Sequence, residues 1–113
     1  MNEGTLGRMQ FGGERAHTND HPPIFRDAAP SVSGTAIKVG TLIYLDDGEA
    51  AVWTPALNKP IHGVVDLPYE PGDDSVLYLA HGTVKKDLLK DGSESELDAA
   101  AITALEEAGI YPV

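Results

Sequence analysis

The stretch TLIYLDDGEAAVWT, residues 41–54, decides the fold class of this chain. Two strand-like runs, Thr41–Leu45 and Ala50–Thr54, lie on either side of Asp46-Asp47-Gly48. An Asp-Gly pair between such runs is a strong local signal for a tight hairpin, because both residues tolerate the left-handed backbone that the turn needs. The stretch therefore predicts two antiparallel strands joined by a short turn.

Further strand-like runs lie on both sides of this hairpin. Thr35–Val39 precedes it, His62–Asp66 follows it, and Ser75–Ala80 is the most apolar run of the chain. We expect the last of these to be the central strand of the sheet. His81-Gly82 directly after it indicates a bend or a β-bulge. Short strands separated by turn residues are typical of a small, mainly β domain.

One helix is predicted near the C-terminus. Ser93 and Glu96 fit a capping box, in which Ser93 is the N-cap. Gly109 is predicted to end the helix, and Ile110–Val113 should be a last extended segment that pairs at an edge or only in part, because Pro112 has no N–H. The apolar stripe expected to face the core consists of Leu97, Ala101, Ala104, Leu105 and Ala108.

The chain divides near Gly34 into two parts of different composition. Residues 1–34 are rich in glycine and proline, and their apolar residues follow no period of 2 or 3.6. Such a segment cannot bury enough apolar surface to offset the entropy of ordering its backbone. We therefore predict an extended N-terminal arm over residues 1–34. Residues 35–113 should form a small α+β, mainly β domain, barrel-like or of the β-tulip kind, with one helix near its C-terminus.

The charges are distributed unevenly between these two parts. All three arginines lie in residues 1–34 and all five lysines lie after them, so the arm carries −1 and the rest −9 of the net charge of −10. Arginine and large apolar residues are enriched at interfaces, whereas lysine is depleted there. The arm is thus predicted to order on a partner surface; a tail without function is the other interpretation. The predicted anchors are Arg8, Phe11, Arg15, Ile24, Phe25 and Arg26.

Composition argues against several classes of function. A chain with 18 acidic and only 8 basic residues lacks the basic patch that nucleic-acid or anionic-membrane binding needs. There is no cysteine, so disulfides and thiolate metal sites are excluded. No apolar run is long enough for a membrane span or a signal peptide, so we expect the protein to stay in the compartment where it is made.

No catalytic motif is present, and we predict neither an enzyme nor a cofactor or metal site. His17 and His21 are four residues apart, but Pro22 and Pro23 disfavour a helix there, so this spacing does not predict a shared face. His62 and His81 with Asp66 could form a cupin-like metal site. A small ligand- or metal-binding β-barrel domain therefore remains the alternative hypothesis.

Residues 34–113 resemble the lambda-type head decoration proteins of tailed bacteriophages. The ordered succession of several loose motifs carries the resemblance, and no single motif is specific. These are Gly40-Thr-Leu-Ile-Tyr-Leu45, Ala50-Ala-Val-Trp53, Pro60-Ile-His-Gly-Val-Val65, Ser75-Val-Leu-Tyr-Leu-Ala-His-Gly82, the helix over 97–108, and Gly109-Ile110-Tyr111.

The resemblance implies a structural protein of the virion without catalytic activity. Members of that family bind as trimers to the outer surface of the expanded capsid and stabilise it, and their N-terminal arms lie along the major capsid protein. By this resemblance the partners are the major capsid protein and two further copies of the chain. The protein would be made in the bacterial cytoplasm and end on the capsid exterior. The residues that we predict at the trimer interface are Trp53, Leu57, Ile61 and Tyr69.

Overall fold

A computed structural model describes residues 15–31, 34–57, 59–90 and 97–113. These residues form a mainly β domain with one helix, which confirms the predicted fold class. The elements are β1 (Ile24–Ala28), β2 (Leu42–Asp46), β3 (Glu49–Val52), β4 (Gly63–Val65), β5 (Val76–Val84), α1 (Ala99–Glu107) and β6 (Ile110–Pro112), with single 3-10 turns at Pro55–Leu57 and Lys86–Leu88.

The predicted hairpin is formed by β2 and β3. Asp46 lies opposite Glu49, so the turn contains only Asp47 and Gly48. Both have positive φ angles, 54° for Asp47 and 84° for Gly48. This is the pattern of a type I′ turn, whose twist matches the right-handed twist of the strands that it joins.

The central strand is β5, as the sequence predicts. It pairs antiparallel with β1 and β4, and its C-terminal half pairs parallel with β6. Phe25 lies opposite Leu79 while Ile24 lies opposite His81, so the register shifts by one residue at Ala80. The sequence predicts the irregularity at His81-Gly82, and the structure places it one residue earlier, at Ala80.

Within the described residues, a single backbone bridge connects the two ends of the sheet, which gives it a barrel-like, partly closed shape. The strand order is β1-β5-β4-β2-β3, with β6 beside β5. The chain just after β1 then reaches β3: the Ala50 amide donates to the Ala29 carbonyl at 2.8 Å, and the Ser31 amide donates to the Ala50 carbonyl at 2.9 Å. These two bonds connect the first strand of the order with the last.

Two apolar clusters fill the two sides of this sheet. Each of β2, β3, β4 and β5 contributes at least one side chain to the first cluster, for example Ile43, Val65 and Tyr78. Tyr69, which follows β4, also belongs to it. The second lies on the opposite side and is covered by α1, where Leu105 packs with residues of the sheet. Ala101 and Leu105 are the buried residues of the helix, which agrees with the predicted stripe.

Two local predictions are wrong. Residues 35–39 form no strand; Ile37 only exchanges two backbone hydrogen bonds with Tyr69, at 3.0 and 2.9 Å. The helix begins at Ala99 and its N-cap is Asp98, whose carboxylate accepts from the Ala101 amide at 2.9 Å. An aspartate caps as well as a serine, so the N-cap predicted at Ser93 gives way to a later one; Ser93 and Glu96 lie outside the described residues.

The end of the helix is as predicted. Gly109 follows Ala108 with a φ of 89°, the left-handed conformation that ends many helices. The Gly109 amide donates to the Glu106 carbonyl at 2.9 Å. The chain then continues as β6, a short strand on the edge of β5 that contains Pro112.

The division predicted at Gly34 is corrected by the structure. Residues 15–31 lie against the β domain: β1 is a strand of the sheet, and Ala16 is fully buried in the cluster beneath α1. Four of the five β1 residues are exposed, so no side-chain pattern marks this strand. Its backbone hydrogen bonds to β5 hold it in the sheet, and backbone pairing does not depend on a pattern of apolar residues.

Three of the four residues predicted at a trimer interface belong to the core. Trp53, Ile61 and Tyr69 are only 4, 3 and 1% exposed within a single chain. Large apolar side chains in short strands have the same sequence signature whether they pack within one chain or between chains. Leu57, which is 37% exposed, is the one that remains on the surface.

The buried phenol of Tyr78 makes the stability of the fold depend on pH in the alkaline range. Burial raises its pKa above the ordinary 10.0, Arg26 lowers it, and Asp27 raises it, with a net upward shift. The unfolded chain therefore loses this proton at a lower pH than the folded one, so the contribution of Tyr78 to stability is complete below about pH 10 and decreases above it. We expect the urea midpoint to fall less steeply above pH 10 in Tyr78→Phe than in the wild type. Tyr111→Phe, which removes an exposed phenol, should follow the wild type.

Candidate functional site

Asp66 is a fully buried carboxylate directly after β4. Its own backbone is fixed to the central strand, because its amide donates to the Leu77 carbonyl at 3.0 Å. A buried charge is very costly unless it is paired and hydrogen-bonded. The groups that face this carboxylate therefore indicate what it does.

Three consecutive residues, 15–17, bind the Asp66 carboxylate. The backbone amides of Ala16 and His17 donate to its Oδ1 at 3.1 and 2.8 Å. The His17 ring places Nδ1 3.0 Å from the same oxygen. The Arg15 guanidinium binds Oδ2 through Nε and Nη2. We call this arrangement of Asp66 with residues 15–17 the Asp66 clasp.

The clasp holds the chain at one end of β5. The Lys85 amide donates to the Ala16 carbonyl at 2.8 Å, and the Thr18 amide donates to the Thr83 carbonyl at 2.9 Å. The hydroxyls of Thr18 and Thr83 are 2.6 Å apart. Backbone and side-chain bonds therefore fix residues 16–18 along the edge of β5 that continues beyond β1.

Phe25 connects the clasp with β1. Its ring lies 5.6 Å from Cζ of Arg15 and 5.0 Å, edge to face, from the His17 ring. Such cation–π and aromatic contacts add stability beyond the area that they bury. The structure thus brings Arg15 and Phe25, two of the predicted anchors, into direct contact.

The strand β1 exposes large apolar and basic side chains to solvent. Ile24 is 49% exposed and Phe25 36%, and Arg26 beside them is exposed as well. Between Ile24 and Ala28, no strand of the described residues pairs with the edge of β1 that faces away from β5. We call Ile24–Ala28 the β1 edge. Unpaired edges with apolar side chains are templates for pairing with another chain.

The predicted anchors therefore fall into three groups. Arg8 and Phe11 lie outside the described residues. Arg15 is bound within its own chain by Asp66, so its guanidinium fastens residues 15–17 to the domain. Ile24, Phe25 and Arg26 lie together on β1.

Sequence reasoning considered Asp66 only as a metal ligand and missed its role in the clasp. The signal was a lone acidic residue at the end of the apolar run Gly63–Val65. An acidic residue that continues a buried strand must find donors inside the fold. No sequence pattern indicates that these donors come from residues 15–17, about fifty positions away.

The histidine groupings considered in the sequence are not formed. His17 faces Asp66, while His62 is exposed and accepts from the Leu45 amide at 3.1 Å through Nδ1. His21 and His81 lie beside one another instead. Across the described residues, no group of three or more His, Asp or Glu side chains is placed to hold a metal ion.

Comparison with known proteins adds no family. No protein-family model matches the chain, and no curated protein matches it. Among the described residues, no helix is both long enough and apolar enough to cross a membrane.

Proposed function

We propose that this protein is a non-catalytic capsid decoration protein, which binds the outer surface of an expanded bacteriophage capsid as a trimer and stabilises it. Its partners in this proposal are the major capsid protein and two further copies of itself. The capsid as the binding partner is inferred from the resemblance of residues 34–113 to the lambda-type decoration proteins. The geometry of the N-terminal region supports a binding role of this kind.

The observation that carries the proposal is the β1 edge next to the Asp66 clasp. An unpaired strand edge with exposed Ile24, Phe25 and Arg26 offers backbone groups and anchoring side chains to an extended partner segment. Strand addition of this kind obtains affinity from the main chain and specificity from alternate side chains. A capsid protein could supply such a segment.

The clasp divides the N-terminal region into two functional parts. Residues 15–31 belong to the β domain, and residues 1–14, with Arg8 and Phe11, precede the point that Asp66 fixes. We propose that the β1 edge positions the domain on the capsid and that residues 1–14 contribute additional contacts with it. A trimer would increase the apparent affinity for the capsid, because avidity gains of about 10²–10⁴ are typical of linked sites.

The central experiment measures binding to expanded capsids that carry no decoration protein. We expect full-length Arg8→Glu/Phe11→Ala, and separately Ile24→Asp/Arg26→Glu, to weaken co-sedimentation with capsids by at least about thirty-fold. That factor corresponds to the loss of about 2 kcal/mol that defines a binding hot spot. Their circular dichroism and thermal midpoints should remain close to the wild type, because these side chains are exposed or precede the clasp.

Leu67→Ser is the matched control for an exposed apolar side chain. Leu67 is 39% exposed and lies in a bend outside β1, so its replacement should leave capsid binding unchanged. Bound stoichiometry should be three copies at each three-fold position. Failure of the wild-type protein to bind expanded capsids would overturn the proposal. Binding of both double variants at wild-type strength would overturn the roles of the arm and of the β1 edge.

A further inference from the structure

His21 and His81 bring two ring nitrogens together from distant parts of the chain. Their Nε2 atoms are 3.0 Å apart, and the rings meet at an interplanar angle of 74° with centroids 4.9 Å apart. His81 lies on β5, and His21 lies in the segment between the Asp66 clasp and β1. The clasp at residues 15–17 and the pairing of β1 with β5 fix the two ends of that segment.

The His81 ring is held in one orientation by the chain at the end of α1. A Cβ at Gly109 would lie 2.7 Å from its Nδ1, so the Gly109 backbone approaches the ring more closely than any side-chain-bearing residue could. The Gly82 amide donates to the Gly109 carbonyl at 3.1 Å, which fixes this approach. The Tyr111 ring lies edge to face with the His81 ring, with the two ring centroids 6.4 Å apart. The Nδ1 side thus faces the chain, and Nε2 points towards His21.

Two Nε2 atoms at this separation suit a shared metal ion. Imidazole nitrogens bind zinc at about 2.0–2.1 Å, and two of them on one ion are about 3 Å apart when the angle at the metal is somewhat above 90°. Imidazole is a preferred ligand of zinc, copper and nickel. Without a metal, two neutral nitrogens at 3.0 Å repel each other unless one of them carries a proton.

We propose that His21 and His81 form a binding site for a divalent transition-metal ion of the zinc, nickel and copper class. The two imidazoles supply two ligands, and water completes the coordination, since no third His, Asp or Glu of the described residues joins them. The bound ion would link the segment before β1 to β5. The site does not rest on the capsid proposal, and either can fail without the other.

The proposal is tested by calorimetric titration of the untagged full-length protein with ZnCl₂, and in parallel with NiCl₂, at about pH 7.5. We expect one ion per chain and an increase in the thermal midpoint, because a ligand that binds only the folded state stabilises it. Binding should weaken as the pH is lowered, since protons compete with the metal ion for the imidazole nitrogens.

Three matched variants locate the site. His21→Gln and His81→Gln should each lower the affinity at least tenfold, whereas His62→Gln, which removes an exposed histidine elsewhere, should leave it unchanged. His21 is exposed and outside any strand, so His21→Gln keeps the test valid if His81→Gln proves unstable. Absence of one-to-one binding of both metals, or unchanged affinity in His21→Gln, would overturn the proposal and leave a hydrogen-bonded histidine pair.

Discussion

Asp66→Asn should lower the free energy of unfolding by about 3 kcal/mol. The substitution removes the negative charge that binds Arg15. In the wild type the donors of residues 15–17 share two carboxylate oxygens, whereas an asparagine offers them only one carbonyl oxygen. A buried amide left without its acceptor costs about 1–3 kcal/mol, and breaking a buried ion pair costs about 3–5 kcal/mol. Arg15 is 38% exposed, so solvent screens its part of the pair and the lower end of that range applies.

The loss should be concentrated where the clasp acts. Hydrogen exchange at the amides of Ala16 and His17 should accelerate more than exchange in β2 or β4, because their charged acceptor is replaced by a single neutral carbonyl oxygen. Urea denaturation measures the total loss. Asp74→Asn, a charge-neutralising change at an exposed bend, is the control and should cost less than about 0.5 kcal/mol.

A double-mutant cycle separates the ion pair from the backbone contacts. Arg15→Gln alone should cost less than Asp66→Asn, because its guanidinium reaches solvent whereas the carboxylate does not. The double variant should lose little more than Asp66→Asn, since both changes remove the same ion pair. Full additivity would show that Arg15 contributes nothing through Asp66. A loss below about 0.5 kcal/mol in Asp66→Asn would contradict the clasp itself.

Gly40→Ala should cost more than about 4 kcal/mol or prevent folding. Gly40 has a φ of 92°, and a Cβ there would lie 2.0 Å from the carbonyl oxygen of Leu88. The left-handed conformation alone costs an alanine about 1–2 kcal/mol. The larger part of the loss comes from the clash, which the backbone cannot avoid. The Gly40 amide donates to the Val65 carbonyl at 2.9 Å, and the Gly40 carbonyl accepts from the Lys90 amide at 3.0 Å.

Gly72→Ala is the matched control for this substitution. Gly72 has a similar φ of 101°, but apart from its chain neighbours no atom of the described residues lies within 4 Å of the position of its Cβ. It should therefore cost only the conformational term of about 1–2 kcal/mol. Thermal or urea denaturation of both variants isolates the close approach to Leu88. If both variants lost the same free energy of unfolding, the backbone at Leu88 would have moved aside for the new Cβ without an energetic penalty, which would contradict the prediction.

The sequence predicted those elements whose signals are local. Asp47-Gly48 set the hairpin because only a left-handed turn joins two strands at that spacing. The apolar run from Ser75 indicated the central strand, and Gly109 ended the helix where a left-handed residue was needed. Even here the helix start was misplaced, because Asp98 provides an N-cap as good as Ser93.

Sequence could not predict contacts between residues far apart in the chain. Trp53, Ile61 and Tyr69 were assigned to an interface although they fill the core, since apolarity alone does not distinguish the two environments. His21 pairs with His81, sixty residues away, rather than with its sequence neighbour His17. The spacing of two residues predicts that they share a face only inside a regular helix or strand, and His17–His21 is neither.

By itself, then, the sequence determined the mainly β class, the hairpin, the central strand and the helix near the C-terminus, because turn chemistry and apolar runs act locally. The tertiary structure alone decided where the N-terminal region ends and the domain begins. Residues 15–31 have no apolar period, and they join the barrel through backbone pairing with β5 and β3 and through donation to the buried Asp66. Those bonds form only when distant segments meet, and a buried carboxylate requires them.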